Sequence, residues 1–345
     1  MQKIDLFSLS EQQLNAFIDA EDLPAYRARQ IIKWIYEKHV CSIDEITELS
    51  KDLRQSLSEK AYISCIELAD QQISSDATRK FLFRLEDDET IESVLIPDEE
   101  RLTLCISTQV GCAMACGFCV TGSIGIKRDL KVHEICGQVI SASRIIYPQK
   151  ITNIVLMGMG EPLVNFENVV EALWRITGLM KFSPRRITLS TSGIAPKLAA
   201  LAQRGPMVNL AISLNATTDQ VRDRIMPVNR TYPIKTLLDA CRRFPLSPRR
   251  RITFEYVMLR GVNDSDADAA RLIKLLRGIP SKINLIPFNE FAGAPFKRPD
   301  DAAVLNFQEI LTSAGMTAII RKSKGQDILA ACGQLKAKYS GKDQE

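Results

Sequence analysis

From residue 101 onward, short apolar runs that are typical of strands alternate with longer amphipathic stretches that are typical of helices. The apolar runs predict strands at residues 102–108, 153–159, 186–192, 208–216, 251–259, 283–288 and 316–323. The amphipathic stretches predict helices near residues 134–147, 166–181, 196–204, 218–225, 234–244, 266–277 and 301–314. Nearly continuous apolar strands separated by helices indicate parallel βα units that are covered on their outer face. We therefore expect an α/β fold, a partial (β/α)6-type TIM barrel, with its functional residues at the C-terminal ends of the strands.

The first hundred residues follow other patterns. A periodic stretch that opens after Ser10, and a second that begins near Pro24 and has Trp34 in its core, predict a small helical domain. Two β-type runs on either side of Asp87-Asp88-Glu89 predict a hairpin, in which the pattern alone makes Glu92 an acidic residue that faces outward. The chain is expected to divide into a helical N-terminal accessory domain (1–78), a β-hairpin extension (79–97), a core barrel (98–327) and a C-terminal segment (328–345).

The composition is that of a globular protein, since 46% of the 345 residues are hydrophobic and 25% are charged. No apolar run approaches the roughly 18 residues of a membrane span, and the acidic, polar start of the chain does not resemble a secretion signal. Nine cysteines, three of them clustered, fit metal or catalytic use in a reducing compartment better than a disulfide framework. We therefore expect a cytoplasmic protein that does not contact membranes.

Charge is divided unevenly along the chain. Residues 1–100 hold 11 Lys and Arg against 22 Asp and Glu, whereas residues 101–345 hold 34 against 19. The first part therefore carries a net charge of −11 and the second a net charge of +15. A surface this basic favours a polyanionic partner, because neutralised phosphates release their counterions, so we expect a nucleic acid partner.

Three cysteines stand at the spacing C-x3-C-x2-C in the run from Gly111 to Cys119. Thiolates are soft ligands that suit iron–sulfur centres and zinc, and Cys112, Cys116 and Cys119 could hold three corners of a cubane cluster. Such a cluster keeps one iron open for a substrate or cofactor. A structural zinc site is the alternative, but it requires four ligands, and the chain has two histidines and no fourth cysteine nearby.

Small and polar residues follow several of the predicted strands. The second strand runs into Gly158-Met159-Gly160-Glu161-Pro162, where glycines would let a ligand approach the backbone and a carboxylate could accept from a cationic amine. Three other strands end in hydrogen-bonding residues suited to a nucleoside and its carboxylate: Ser190-Thr191-Ser192-Gly193, Ser213-Leu214-Asn215 and the run from Asn284 to Asn289. Each of these motifs by itself is more typical of a turn at the end of a strand.

Together, the motifs resemble the RlmN/Cfr family of radical S-adenosylmethionine (SAM) RNA adenosine methyltransferases. The cysteine spacing, with Phe118 before the last cysteine, resembles the radical SAM superfamily, and Ala-Ala-Cys-Gly-Gln-Leu around Cys332 resembles a motif of this family. The likeness covers residues from about 79 to 335. It implies a 4Fe–4S cluster on the three cysteines and a SAM site. The implied SAM ligands are Gly160, Glu161, Ser190, Ser213, Leu214, Asn215 (where the family often has histidine) and Asn289.

The resemblance also implies a reaction that uses two SAM molecules per turnover. The first would methylate Cys332, and the second would be cleaved on the cluster to a radical that removes hydrogen from the S-methyl group. The resulting carbon radical would add to the adenine ring, with Glu92 as the proton acceptor. Cys105 would then release the product through a transient disulfide with Cys332.

The implied substrates are an adenosine in the peptidyl-transferase loop of 23S rRNA and the adenosine 3′ of some tRNA anticodons. Pro162 and Ser192 resemble the C2-methylating branch of the family, so we expect methylation at C2. A flavodoxin or ferredoxin system would supply the electrons, and we expect a monomer. Three alternatives stay open: C8 methylation of the same rRNA adenosine, a radical SAM enzyme with a small-molecule or protein substrate, and a non-catalytic iron–sulfur RNA-binding or redox module.

Overall fold

A ten-stranded sheet forms the centre of the protein, which we describe from a computed structural model that covers residues 3–336. The strands are Ile4–Asp5 (β1), Ala61–Tyr62 (β2), Glu67–Ile73 (β3), Arg79–Arg84 (β4), Thr90–Asp98 (β5), Arg101–Cys105 (β6), Gln109–Gly111 (β7), Ile126–Asp129 (β8), Asn153–Leu156 (β9), Ile187–Thr191 (β10), Asn209–Ser213 (β11), Ile252–Met258 (β12), Ser281–Pro287 (β13) and Ala318–Ile320 (β14). The α-helices are Glu11–Ala20 (α1), Tyr26–Tyr36 (α2), Lys51–Lys60 (α3), Val120–Ile124 (α4), Val132–Ile145 (α5), Phe166–Gly178 (α6), Ala195–Arg204 (α7), Asp219–Ile225 (α8), Ile234–Arg243 (α9), Asp266–Leu276 (α10) and Asp301–Ser313 (α11). None of these helices of the described chain is long and apolar enough to cross a membrane.

Seven neighbouring strands, β6 and β9 to β14, run parallel, and helices connect each of them to the next. The strands are apolar because helices cover them: Leu104, Leu189 and Phe254 are completely buried, and each contributes about 1.5–3 kcal/mol through burial. Within residues 3–336, β14 pairs only with β13, so the sheet does not close on itself. The predicted partial barrel is confirmed. We call the side at which its strands end the rim.

Three antiparallel strands, β3 to β5, continue the sheet beyond β6, and we call them the extension. The predicted hairpin is present as β4 and β5. The sequence pattern does not predict β3, which lies inside the stretch expected to be helical (1–78), where the last helix ends at Lys60. The strand is largely polar and exposed, without apolar alternation, so its pairing with β4 makes it a strand.

The N-terminal part contains the predicted helices. Ser10 caps α1, since its hydroxyl accepts from the Gln13 amide (3.2 Å) while the Gln13 side chain accepts from the Ser10 amide (2.8 Å). Trp34 is half-buried and lies at the edge of the core rather than inside it. Arg175 of α6 joins this part to the barrel by donating to the Tyr36 hydroxyl (3.0 Å). The division of the chain into domains stays a prediction, and its outermost residues, 1–2 and 337–345, lie outside the described residues.

Cys41 and Cys65 form a disulfide, with their Cα atoms 5.4 Å apart. This pair departs from the expectation that the cysteines serve metal binding or catalysis. The two residues are 24 positions apart and meet because α3 folds back between them, which the sequence pattern does not indicate. The other seven cysteines are free, among them all five that the sequence analysis singles out.

Candidate active site at the barrel rim

A pocket enclosing about 1000 Å³ lies at the rim, where β9 to β13 end. Most of the predicted site residues line it: Cys112, Cys116, Cys119, Gly160, Glu161, Ser190, Ser213, Asn215, Asn289 and Cys332. Three predicted residues, Leu214, Cys105 and Glu92, do not line the pocket.

The three clustered cysteines lie in a loop that the short ribbon of β7 and β8 holds closed. The Cys112 amide donates to the Gly125 carbonyl (2.8 Å). Gly111 has a φ of +80°, and a Cβ there would lie 1.9 Å from the Gly125 oxygen, so only glycine fits. The sequence analysis missed this ribbon, because strands of three and four residues are too short to show a period.

Burial makes two of the clustered thiols, Cys112 and Cys116, poor acids. It raises the pKa of Cys112 to about 11 and raises that of Cys116 still further, and the neighbouring Cys119 adds to both shifts. Thiolates this far from water require nearby positive charge. Within residues 3–336, no three His, Cys, Asp or Glu side chains are placed to hold a single metal ion. A cubane cluster does not require three side chains around a single ion, because each of its cysteines binds a separate iron.

Glu161 is a buried carboxylate in the pocket wall. Its oxygens accept from the Leu163 amide (3.1 Å) and the Ser192 amide (2.6 Å), and its own amide donates to Gln109 (2.9 Å). Burial raises the pKa of Glu161, and hydrogen bonds from Thr191 and the Ser192 amide oppose that shift. The carboxylate is therefore fixed in one orientation between the ends of β9 and β10.

Arg222 is completely buried beneath the rim, and the sequence analysis did not single it out. Its guanidinium donates to the carbonyls of Ser192 (2.6 Å), Ser213 (3.0 Å) and Leu214 (2.9 Å), which ties the ends of β10 and β11 together. Burial lowers the pKa of Arg222 to about 10, and interactions with nearby acidic groups, Asp219 and Asp223 among them, oppose that shift, so Arg222 stays charged at neutral pH. Leu214 thus contributes to the site through its backbone, behind the pocket wall.

Two further side chains complete the rim. Asn215 has a φ of +56°. Its side-chain oxygen accepts from the Val257 amide (2.8 Å), while its side-chain NH2 group donates to the weakly accepting sulfur of Met226 (3.2 Å). Glu255, which the sequence analysis also missed, is buried, lines the pocket and accepts from Asn284 (2.9 Å). Its position inside an apolar strand is the only sequence signal that could have revealed it.

Residues 325–335, which we call the strap, bring Cys332 to the pocket. The Gly333 carbonyl accepts from the Val120 amide (2.7 Å), and the Leu335 carbonyl accepts from the Thr121 hydroxyl (2.7 Å), directly after the clustered cysteines. The Asn289 amide donates to the Cys332 carbonyl (3.2 Å). Cys332 is accessible from the pocket, and burial by the surrounding protein raises its pKa, with Glu255 adding to the shift.

Cys105 and Glu92 lie under the strap. Cys105 packs in a small apolar cluster with Ala330 and Leu335, and burial raises its pKa to about 12, with the nearby Cys332 adding to the shift. Glu92 is only 5% exposed, so the expectation that it faces outward is wrong. Lys80 forms an ion pair with it (3.2 Å), and the Lys336 amide donates to it (2.8 Å), because the end of the strap covers this face of β5.

Known proteins match the chain along most of its length. Residues 4–63 match the family model of the ribosomal RNA large subunit methyltransferase N-terminal domain, and residues 106–273 match that of the radical SAM superfamily. The chain is 52% identical over 338 residues to the dual-specificity RNA methyltransferase RlmN of Desulfosudis oleivorans, covering 96% of this chain and 91% of that protein. The chain belongs to the RlmN family. A protein of the same name from Geobacter sulfurreducens is 54% identical over 338 residues, covering 97% and 92%.

A solved structure agrees with this membership. The crystal structure of a radical SAM methyltransferase from Sphaerobacter thermophilus superposes with a TM-score of 0.93 at 42% sequence identity. The match covers 97% of this chain and all of that one. The likeness to this methyltransferase structure therefore extends across the barrel, the extension and the N-terminal helices.

The radical SAM superfamily implies a 4Fe–4S cluster and SAM, and the residues of this RlmN-family chain fit both. Three partly buried thiols in one pocket wall supply a soft donor set for three irons. Beside them, Gly160 has a φ of +102°, and a Cβ there would lie 2.7 Å from the Gln109 side chain, so glycine is required next to Glu161. Cys112, Cys116 and Cys119 would hold the cluster, and Glu161 would face the amino group of SAM.

Proposed function

We propose that this protein methylates C2 of an adenosine in 23S rRNA and of the adenosine 3′ of some tRNA anticodons, through an S-methyl group on Cys332. The names of its relatives support an RNA methyltransferase of dual specificity. One observation carries the rest of the proposal: the strap brings an accessible thiol, Cys332, into the same pocket wall as the three clustered cysteines. A SAM-cleaving enzyme without a protein methyl carrier has no need for this thiol.

The chemistry of adenine explains why a carrier is needed. The C2 position bears no acidic proton and is a poor nucleophile, so simple methyl transfer from SAM fails there. The Cys332 sulfur is a good nucleophile and forms its bond to the methyl carbon as the methyl–sulfonium bond of SAM breaks. When bound, the cluster and a second SAM supply the radical that removes a hydrogen atom from this methyl group, so each turnover consumes two SAM molecules.

Two residues under the strap would finish the reaction. Glu92 would accept the ring proton, and its ion pair with Lys80 and its bond from Lys336 hold the carboxylate in place. Once the adduct has returned one electron to the cluster, Cys105 would attack the Cys332 sulfur as a thiolate. The carbon–sulfur bond would break as the Cys105–Cys332 disulfide forms, and the freed methylene carbon would take up a proton to become the methyl group of the released base. The apolar cluster of Cys105 with Ala330 and Leu335 supports this role, because it keeps Cys105 next to the strap.

The substrate assignment rests on charge and on two side chains. Residues 101–345 carry a net charge of +15, which suits an RNA backbone. Pro162 and Ser192 favour C2 over C8. The electron donor, the monomeric state and the cytoplasmic location stay predictions.

Product analysis tests the proposal. The reconstituted enzyme, SAM and reductant are incubated with rRNA and tRNA transcripts, and the nucleosides are compared with 2-methyl- and 8-methyladenosine standards by liquid chromatography and mass spectrometry. We expect 2-methyladenosine; 8-methyladenosine would support the alternative position, and no methylated adenosine would contradict the proposal. Cys332→Ala should form no product, Cys105→Ala should trap a covalent protein–RNA adduct, and the buried Cys136→Ala should behave like the wild type.

A further inference from the structure

The strap has an unusual backbone for a segment that carries a reactive residue. It begins at Gly325 (φ +63°), and Leu329, which is half-exposed, has a φ of +52°. A non-glycine residue rarely adopts this left-handed conformation unless surrounding contacts maintain it. The strap therefore needs fixed points on both sides of Cys332. The cysteine loop supplies one of them through Val120 and Thr121.

The other fixed point is the turn between β3 and β4, and the contacts run in both directions. Asp327 of the strap accepts from the Ser74 hydroxyl and from the Ser75 amide (3.0 Å). In return, Asp76 of the turn accepts from the Gly325 amide (3.1 Å). We call these five residues the turn clamp.

At the turn clamp, the strap packs closely against the extension. A Cβ on Gly325 would lie 2.9 Å from both the Thr78 and the Ala330 side chains, so the strap lies flat against the extension at this point. The Ala330 amide donates back to the Gly325 carbonyl (2.9 Å), which closes a short loop two residues before Cys332. The position of Gly325 thus determines where the chain enters the pocket.

We propose that Asp76 and Asp327 are positioning residues for Cys332, and that the turn clamp sets the location of its sulfur in the pocket. This inference rests on the proposed function, in which the sulfur must meet the methyl donor, the adenine ring and Cys105. Neither carboxylate lines the pocket, so both act only through the strap. A misplacement of about 1 Å at a reacting atom can cost on the order of 100-fold in rate.

Asp327→Ala tests the turn clamp, with Asp98→Ala as the matched control. Asp98 is an exposed carboxylate on β5, in the same sheet, and its side chain has no hydrogen bond in the described part of the chain. We expect Asp327→Ala to lower the rate of RNA methylation by on the order of 10- to 100-fold. Asp327→Asn, which keeps one accepting oxygen, should fall between Asp327→Ala and the wild type. Asp98→Ala should match the wild type.

Two further readouts separate positioning from a general loss of structure. In holoenzyme whose Cys332 is unmethylated by mass spectrometry, iodoacetamide should alkylate Cys332 several-fold faster in Asp327→Ala, because the strap is released. The cluster absorbance should stay at its wild-type value, and the thermal unfolding midpoint should fall by only a few degrees. Wild-type rates of both methylation and alkylation in Asp327→Ala would overturn the inference. If the wild-type enzyme itself methylated RNA without carrying a methyl group on Cys332, the proposed function would fail instead.

Discussion

The rim and the extension differ in how the chain builds them. The rim residues come from successive βα units, so each lies at the end of a strand that its own neighbours in sequence define. The extension side joins groups from opposite ends of the chain: Glu92 meets Lys336, 244 positions away, and Ser74 meets Asp327, 253 positions away. The regular part of the fold carries the residues proposed to bind and cleave SAM, and the long-range contacts carry those proposed to direct the methyl group.

The two regions also differ in rigidity. At the rim, Arg222 donates to three strand-end carbonyls and two backbone amides hold Glu161, so the pocket wall is fixed before any ligand binds. The strap, in contrast, is attached at its ends by a few hydrogen bonds, and Cys332 and Gly333 line the pocket. We expect substitutions in the two regions to have separable effects.

Glu92→Gln should give the largest effect that is confined to the extension side. It removes the proposed proton acceptor but keeps its shape and its ability to accept from the Lys336 amide. Loss of general-base catalysis costs about 10²–10⁴-fold, so RNA methylation should fall by that factor. The cluster absorbance and the formation of 5′-deoxyadenosine from SAM should persist.

Cys119→Ser is the corresponding substitution at the rim, and its effects on the cluster and on SAM cleavage are compared with those of Glu92→Gln. It removes one of the three thiols, so cluster absorbance and 5′-deoxyadenosine should both be lost along with methylation. If Glu92→Gln also abolished SAM cleavage, the separation between the two regions would be wrong.

The same contrast explains how much could be predicted from the sequence. The βα alternation places Glu161, Ser190 and Ser213 at one rim, because parallel strands end on the same side. Arg222 has no such signal, since an arginine on a short helix that is rich in charged residues is usually exposed. The outward orientation expected for Glu92 failed because the strap, which covers it, is distant in sequence.

Arg222→Met tests whether the buried hydrogen bonds of Arg222 stabilise the rim. Its expected effect, a loss in the free energy of unfolding, lies between the effects of the other substitutions. Methionine fills similar space but leaves three buried carbonyls without their donor, and each loss costs about 1–3 kcal/mol. We expect the free energy of unfolding, measured with urea, to fall by about 3 kcal/mol. Arg243→Met, at an exposed position at the end of α9, should change it by less than about 0.5 kcal/mol. Equal effects of the two substitutions would mean that the buried hydrogen bonds of Arg222 do not stabilise the rim.

Asp76→Asn should have the smallest effect, a small loss in the free energy of unfolding, and this loss should depend on pH. Burial acts to raise the pKa of Asp76, but hydrogen bonds from Thr78 and from the Gly325 amide outweigh it and lower the pKa to about 2. An aspartate has a pKa of about 3.9 in an unfolded chain, so the folded state is stabilised above that pH and loses this contribution as the pH falls towards 2. Because Asp76 is largely solvated, we expect only about 1 kcal/mol.

The measurement compares urea unfolding of cluster-free wild type and Asp76→Asn at pH 7 and at pH 2.5, so that acid loss of the cluster does not enter. The variant should be less stable by about 1 kcal/mol at pH 7, and the difference should shrink to roughly a third at pH 2.5, because the unfolded carboxylate is protonated there and the folded one is beginning to be. Asp327, the neighbouring carboxylate, is present in both proteins and titrates in both. A difference that stayed constant with pH would show that the Asp76 charge does not hold the strap, and that the turn clamp depends on shape alone.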